Sequence, residues 1–95
     1  MIVRNYDSDG KALRLQIKEL VFDFMKNNED CLPNAEGMPQ ADIFRACGLD
    51  WGDQSNSTSS QQHFWVVALL RVLENEGKVS RVLKQKGRGY NWRLK

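Results

Sequence analysis

The sequence predicts an α+β fold in which three helices pack on a small antiparallel β-hairpin. Two segments place apolar residues at the three- and four-residue spacing of a helix that buries one face. The C-terminal segment instead alternates apolar and polar residues on both sides of a glycine-rich turn, which is the pattern of a hairpin. Because 95 residues suit a single domain, all of these elements are expected to share one core.

The segment from residue 55 to residue 79 holds the longest helical pattern. Two hydroxyl side chains are each followed three residues later by a glutamine, the spacing of a capping box, so this helix is expected to begin near residue 59. Gly77 stands where a left-handed C-terminal cap would fall, and the branched residues after it predict a strand. The helix should therefore cover about eighteen residues. The pairs are Thr58 with Gln61 and Ser59 with Gln62, and the face expected to be buried consists of Val66, Leu69, Leu70 and Leu73.

A second amphipathic pattern predicts the first helix of the chain, from Lys11 to Asn27. Ser8 or Asp9 is expected to cap its N-terminus, and residues 1 to 8 form a loose lead. Three apolar residues fall outside the narrow stripe, so the buried face is either broad or extends to a partner. The stripe consists of Leu13, Ile17, Leu20, Val21 and Phe24, with Leu15, Phe22 and Met25 outside it.

The middle of the chain predicts a loop, a short helix and a second loop. Residues 29 to 38 contain a proline and a glycine and are expected to form a loop that ends in a short extended piece at Met38. A helix should begin at Pro39, because proline suits the first helical position, and stop at Gly48. Trp51, in the loop that follows, is expected to pack as a lid. The residues that this short helix should bury are Ile43, Phe44 and Cys47.

The C-terminal segment predicts a β-hairpin. Residues 79 to 85 and 90 to 94 are the expected strands, and Gly87 and Gly89 lie in the tight turn between them, where positive backbone dihedrals favour glycine. Apolar and polar residues alternate in the second strand, so one of its faces should be buried. The residues on that face are Tyr90, Trp92 and Leu94.

Charge is distributed unevenly along the chain. Residues 1 to 60 contain six Lys or Arg and ten Asp or Glu, whereas residues 61 to 95 contain eight basic and two acidic residues. Residues 78 to 95 alone hold seven basic residues and no acidic one. The net charge of +2 conceals this asymmetry, which favours a polyanionic partner.

Several classes of protein are not supported by the sequence. The N-terminus has no signal-peptide pattern and no segment approaches the roughly 20 apolar residues of a membrane span, so we expect a cytoplasmic protein, nucleoid-associated or nuclear in a eukaryote, without a membrane partner. Cys31 and Cys47 are too few for a disulfide framework and are expected to be reduced thiols. With His63 as the single histidine, no four-ligand zinc pattern can be written, and we expect no cofactor.

The acidic residues of the first half do not predict catalysis. They show neither the spacing of metal ligands nor that of a general acid and base. We therefore do not expect an enzyme or a small-molecule substrate. The carboxylates considered are Asp7, Asp9, Asp42, Asp50 and Asp53.

The run Ala-Leu-Leu-Arg-Val-Leu-Glu-Asn-Glu-Gly-Lys-Val at residues 68 to 79, followed by a basic hairpin and Tyr-Asn-Trp-Arg-Leu at residues 90 to 94, resembles the winged helix-turn-helix superfamily. There an acidic pair and a glycine close the recognition helix, and the wing ends in an aromatic residue and a leucine. The resemblance covers about residues 10 to 95. It implies one winged-helix domain, in the order helix, short strand, helix, helix, strand, wing, strand. It also implies binding of double-stranded DNA, with the third helix in the major groove and the wing on the backbone.

The third helix and the wing supply the residues expected to contact DNA. At 100° steps, Gln61, Phe64 and Arg71 lie opposite the buried face, and Gln61 suits adenine while Phe64 suits a thymine methyl group. The hydroxyls at the helix start suit phosphate oxygens, although a helix cap would use the same groups. The hairpin has more cations than solubility requires and should contact phosphates. The predicted DNA-binding residues are Ser57, Thr58, Ser60, Gln61, Phe64, Arg71, Lys84, Lys86 and Arg88.

Two functions therefore remain open at the level of sequence. The first is a DNA-binding module, either a small transcriptional regulator or the DNA-reading domain of a larger DNA-processing protein. The second is a winged-helix module that docks on protein through Phe64, Trp65 and Trp51, because adjacent aromatic residues at a helix start often contact another subunit. A homodimer or a complex with another protein is compatible with either function.

Overall fold

The computed structural model of the chain describes residues 3 to 52, 62 and 64 to 95. In this part of the chain the structure is an α+β domain with three helices and a two-stranded antiparallel hairpin, as predicted. The helices are α1 (Tyr6–Lys26), α2 (Gln40–Ala46) and α3 (Ala68–Asn75), the strands are β1 (Val79–Leu83) and β2 (Tyr90–Leu94), and single 3-10 turns cover Glu29–Cys31 and Phe64–Val66.

The hairpin is extended on one side by the loop that precedes α2. β1 and β2 pair with Val79 opposite Leu94. On the other edge of β2, the Met38 N–H donates to the Trp92 carbonyl at 2.9 Å and the Trp92 N–H donates to the Met38 carbonyl at 2.8 Å. The short extended piece predicted at Met38 is therefore confirmed, and it fixes the loop against the strand that carries the buried Trp92.

Helix α1 begins earlier than the sequence predicted. Its cap is Asn5, whose side chain accepts a hydrogen bond from the Ser8 N–H at 3.0 Å, so the expectation of a cap at Ser8 or Asp9 is wrong. Asparagine is as effective a cap as serine or aspartate, and here it adds one and a half turns of helix. The C-terminus at Lys26 lies one residue from the predicted end.

The buried face of α1 also differs from the predicted stripe. Val21 and Met25 are fully buried, whereas Leu13 and Leu20 are 55% and 48% exposed. Among the described residues, the buried core meets only the C-terminal part of the helix, so the side chains before Val21 remain exposed or only partly buried, although their apolar spacing is the same. Met25 lies outside the predicted stripe, yet it is one of the largest buried side chains.

Helix α3 is shorter than expected: it begins at Ala68, and Phe64–Val66 form a separate 3-10 turn before it. Two side chains before α3 bond to the loop after α2. The Gln62 side chain accepts from the Trp51 N–H at 2.7 Å and donates to the Gly52 carbonyl, and the Trp65 indole N–H donates to the Leu49 carbonyl at 2.9 Å. The predicted capping residues Thr58, Ser59 and Gln61 lie outside the described residues.

The C-terminus of α3 is the one predicted. Gly77 adopts φ 75°, in the left-handed region, and its N–H donates to the Glu74 carbonyl at 3.0 Å. The Lys78 N–H donates to the Leu73 carbonyl, also at 3.0 Å. These two bonds form a Schellman cap, which turns the chain directly into β1.

Helix α2 carries the predicted apolar face with small changes at its ends. Pro39 is the residue before the helix and not its first residue, and Ile43 and Phe44 are fully buried. Cys47 is only half-buried, whereas Cys31 is completely buried. Burial raises the pKa of the Cys31 thiol to about 11, with smaller contributions from Asp30 and Cys47, and burial also raises the pKa of Cys47.

The hydrophobic core draws on every helix and both strands. Val66, Leu70 and Leu73 of the predicted helical face are buried, and Leu69 packs against them. No helix in the described part of the chain is long and apolar enough to cross a membrane. The buried core consists of Val21, Met25, Cys31, Ile43, Phe44, Val66, Leu70, Leu73, Val79 and Trp92.

Candidate nucleic-acid interface

A cavity of about 430 Å³ lies between α3, the N-terminal turn of α2 and the hairpin. We call it the cationic cavity, because Arg71, Arg81 and Lys84 line it and no carboxylate does. The cavity exists because Leu70 and Leu73 turn into the core, which directs Arg71 of the same helix toward the hairpin. The remaining lining residues are Pro39, Gln40, Ala41, Gly89, Tyr90 and Trp92.

Arg81 is held firmly at one wall of the cationic cavity. Its Nε donates to Oε2 of Glu74 at 2.9 Å. The guanidinium carbon also lies 5.3 Å from the centre of the Tyr90 ring and 5.8 Å from that of Trp92, within the range of cation–π attraction. Much of its charge is therefore already compensated within the fold.

Tyr90 lies beside Arg81 in the lining of the cavity. It is not the buried residue that the alternation predicted. Its side chain is 49% exposed, whereas Trp92, two residues later on the same face, is 4% exposed. The reason is position: Trp92 is flanked by β1 and by Met38, but Tyr90 lies beyond Met38, where β2 has only β1 beside it. The aromatic ring therefore faces the cavity.

Arg71 and Lys84 contribute charge that the fold does not compensate. Arg71 is exposed and Lys84 half-exposed, and neither lies within 4.0 Å of a carboxylate among the described residues. The Lys84 N–H donates to the Gly89 carbonyl at 3.2 Å, which closes the loop of the hairpin. The structure thus brings together two predicted site residues that are thirteen positions apart in the sequence.

The loop at residues 84 to 89, here called the hairpin tip, carries two further exposed cations, Lys86 and Arg88. Gly87 and Gly89 have φ values of 84° and 96°, so both use the left-handed conformation that the turn prediction required. Lys86 and Arg88 are exposed, and neither forms an ion pair with the carboxylates that the structure describes.

The hairpin base, by which we mean Lys78, Arg81 and Arg93, uses its cations within the fold. Lys78 Nζ lies 3.4 Å from Oε1 of Glu76, and Arg93 donates to the Ala35 carbonyl at 2.7 Å. With the Arg81 pair described above, all three cations of the base have internal acceptors. The basic run of residues 78 to 95 is therefore divided into a structural and an uncompensated part.

Four predicted site residues, Ser57, Thr58, Ser60 and Gln61, lie outside the described residues. Phe64 begins the 3-10 turn Phe64–Val66, and its side chain lies outside what the structure describes. Of the others, Arg71 and Lys84 share the cationic cavity, and Lys86 and Arg88 occupy the hairpin tip.

Sequence reasoning did not assign Tyr90 or the turn at residues 39 to 41 to the site. Arg81 belongs to the basic run, whose charge allows it to extend the line of phosphate contacts along the sheet, and the structure places it at the wall of the cavity. The contribution of α2 had no comparable signal, because it depends on how the Met38 bridge places the start of that helix beside the hairpin.

A second concave surface lies on the other side of α3, toward α1. This groove of about 450 Å³ is mainly apolar. Trp65, which lines the groove and is 52% exposed, contacts Trp51, which is 65% exposed. The ring centres lie 5.9 Å apart and the ring planes are tilted by 39°. Trp51, which was predicted to pack as a lid, therefore covers Trp65 only in part. The groove is lined by Lys11, Arg14, Leu15, Ile17, Lys18, Trp65, Val66, Ala68, Leu69 and Val72.

The described residues contain no group of three His, Cys, Asp or Glu side chains that could hold a metal ion. Comparison of the chain with family models, curated proteins and solved structures gives no match to any of them.

Proposed function

We propose that this chain is a double-stranded DNA-binding module of the winged-helix type, which contacts DNA through the cationic cavity and the hairpin tip. The observation that carries the proposal is the set of cations without internal partners on the hairpin side of α3: Arg71, Lys84, Lys86 and Arg88. Uncompensated surface cations are the groups that neutralise phosphates and release counterions.

The arrangement of these cations fits an extended polyanion better than a small anion. Arg71 and Lys84 line the cavity, but Lys86 and Arg88 continue away from it along the hairpin tip. A single phosphate would require donors that converge on one point. A line of charge requires donors spread along the surface, which is what the hairpin provides. The order of helices and strands is compatible with the winged-helix layout, in which the hairpin serves as the wing.

The test is a titration of the ¹⁵N-labelled protein with a short mixed-sequence DNA duplex at about 50 mM and about 200 mM salt. Shifts should cluster on Arg71, Tyr90 and residues 84 to 89. The triple variant Lys84→Gln, Lys86→Gln, Arg88→Gln should bind at least about tenfold more weakly at the lower salt concentration, with the log–log salt slope reduced by about 2.7.

The matched control removes the same amount of charge elsewhere. Lys11→Gln, Lys26→Gln, Arg45→Gln changes three exposed cations that do not line the cationic cavity. If binding depends on the site, this control should retain most of the affinity. Equal losses in the two triple variants would show that only net charge matters, and absence of binding at low salt would refute the proposal.

A second candidate function is a protein interaction module, favoured by the exposed Trp51–Trp65 pair. Exposed aromatic pairs beside an apolar groove are typical of protein interfaces. Trp65→Ala separates the two functions, because it lies on the α1 side of α3 and should leave DNA affinity within about twofold of wild type. A large loss of DNA affinity in Trp65→Ala would instead place the DNA contact on this side.

A further inference from the structure

The first fifteen residues of α1, from Tyr6 to Leu20, contain no fully buried side chain, and of the apolar ones only Ile17 packs against the core. At 1.5 Å per residue this stretch is roughly 22 Å long. Short isolated helices are marginal in water and normally depend on packing of an apolar face. The helix therefore presents a face that lacks the contacts on which such helices rely.

That exposed face has the spacing of a coiled coil. Its residues follow one another at intervals of four, three, four and three, which keeps them on one side of a helix in contact with a second helix. Tyr6, Leu13 and Leu20 are 76%, 55% and 48% exposed, and Ile17 is half-buried against the core. We call this face the α1 seam, and it consists of Tyr6, Gly10, Leu13, Ile17 and Leu20.

The charges that flank the α1 seam complement a second copy of the same helix. Asp7 and Asp9 lie in the first turn, one on each side of the seam, and Arg14 lies two turns further on. In an antiparallel pair Arg14 faces Asp7 of the other copy, and in a parallel pair it faces Asp9. Arg14 forms no ion pair within the described part of its own chain. Asp7 pairs with Lys11 at 2.9 Å and Asp9 with Arg4 at 2.7 Å, both through exposed side chains, so Arg14 of a second copy would share a carboxylate with one of these cations.

We propose that a second copy of this chain pairs along the α1 seam to form a homodimer. The pairing buries Leu13 and Leu20 of both copies and gives Arg14 an acidic partner. This inference does not depend on DNA binding, since the seam and the cationic cavity share no residue.

The first test is the mass of the full chain by sedimentation equilibrium between about 1 and 200 µM. Wild type should approach twice 11.0 kDa, and Leu13→Glu with Leu20→Glu should raise the dissociation constant at least about tenfold. Leu15→Glu is the matched control: Leu15 is 52% exposed on the same helix, but 200° around it from Leu13. It should leave the dissociation constant within about threefold of wild type.

A charge-exchange experiment tests the seam itself. Chains with Arg14→Glu should repel one another, as should chains with Asp7→Lys and Asp9→Lys. A mixture of the two should form a heterodimer, because both orientations then oppose acidic and basic residues. Far-UV circular dichroism checks folding of each chain, because Asp7→Lys and Asp9→Lys remove the first-turn carboxylates of α1 and their pairs with Lys11 and Arg4. Wild-type helicity should rise with concentration.

Three results would refute the homodimer. They are a wild-type monomer at 200 µM, a Leu15→Glu variant that dissociates as readily as the Leu13 and Leu20 variant, and a charge-exchange mixture that remains monomeric. A heterodimer formed only in the mixture, with monomers in each separate sample, would confirm that the flanking charges select the partner.

Discussion

At the hairpin base, Arg81 is bound to Glu74 and Arg93 to the Ala35 carbonyl, whereas at the tip Lys86 and Arg88 contact no carboxylate in the described part of the chain. Both regions belong to one basic run in the sequence. The base lies against α3 and the loop before α2, which supply acceptors, and the tip extends beyond both. Position relative to neighbouring acceptors, and not charge density, decides which cations remain available to a ligand.

Base and tip cations should differ in what they contribute to stability and to binding. Cations at the base should contribute to stability and little to binding, and cations at the tip should do the reverse. Partly buried ion pairs and cation–π contacts each contribute about 0.5 to 1 kcal/mol, whereas isolated surface charges rarely change stability by more than about 0.5 kcal/mol. Substitutions in the two regions should therefore separate the two properties.

The largest loss of stability is expected at Gly37, where the loop before α2 packs against β2 near the hairpin base. In Gly37→Ala the new Cβ would stand 2.9 Å from the Asn91 Cβ and 2.9 Å from the Trp92 carbonyl oxygen, at φ 84°. Backbone strain and displacement of β2 together should lower the free energy of unfolding by about 3 kcal/mol, measured by urea denaturation.

Gly48→Ala is the control for that substitution. Gly48 also has a positive φ, 71°, but no atom lies within 4 Å of its added Cβ. It should cost only the strain of the left-handed conformation, about 1 to 2 kcal/mol. Equal losses at the two glycines would show that the close approach to β2 does not matter.

The next largest effect is expected at the tip, where substitutions should weaken DNA binding without changing stability. Lys86→Gln with Arg88→Gln should reduce the log–log salt slope of DNA binding by about 1.8, because each neutralised phosphate contributes about 0.9. The free energy of unfolding should stay within about 0.5 kcal/mol of wild type. A marked loss of stability would mean that the tip is structural, as the base is.

A smaller effect is expected when Arg81 of the base loses its carboxylate partner and becomes available to DNA, as the tip cations are. Glu74→Gln removes the carboxylate that holds Arg81 at 2.9 Å, so it should lower the free energy of unfolding by about 0.5 kcal/mol and strengthen DNA binding about twofold to threefold. Arg81→Gln, the partner substitution, should lower stability by about 1 kcal/mol without strengthening binding. Weaker DNA binding in Glu74→Gln would contradict the division between base and tip.

The sequence predicted the local features of this fold and misassigned those that depend on neighbours. Gly77, the glycines of the hairpin tip and the Met38 extended piece follow from backbone preferences and were confirmed. Leu13 and Tyr90 have the right periodicity for burial yet are exposed. Periodicity tells which residues share a face, but not how far the core extends along it.

The same distinction applies to the candidate site. Charge asymmetry identified the cations of the hairpin, because composition can be counted without a structure. The ion pair of Glu74 with Arg81 could not be inferred, since seven positions separate the residues and the contact requires the Schellman cap that turns β1 back along α3. The cationic cavity likewise requires the loop before α2 to be placed beside β2.

The smallest effect concerns the carboxylate beside Lys78 at the hairpin base. A hydrogen bond from Lys18 Nζ, 2.7 Å from Oε2, is the main reason that the pKa of Glu76 lies below its usual value, and Lys78 adds to it. A lowered folded-state pKa means that this contribution is present above the unfolded pKa near 4.5 and is lost as pH falls through the folded value. In Glu76→Gln the free energy of unfolding should therefore decline less than in wild type between about pH 6 and about pH 2, measured by urea denaturation at each pH. The tip variant Lys86→Gln should lose stability with falling pH as wild type does, because Lys86 pairs with no carboxylate among the described residues. If this variant instead lost less stability at low pH, the tip cations would share in the electrostatics of the base.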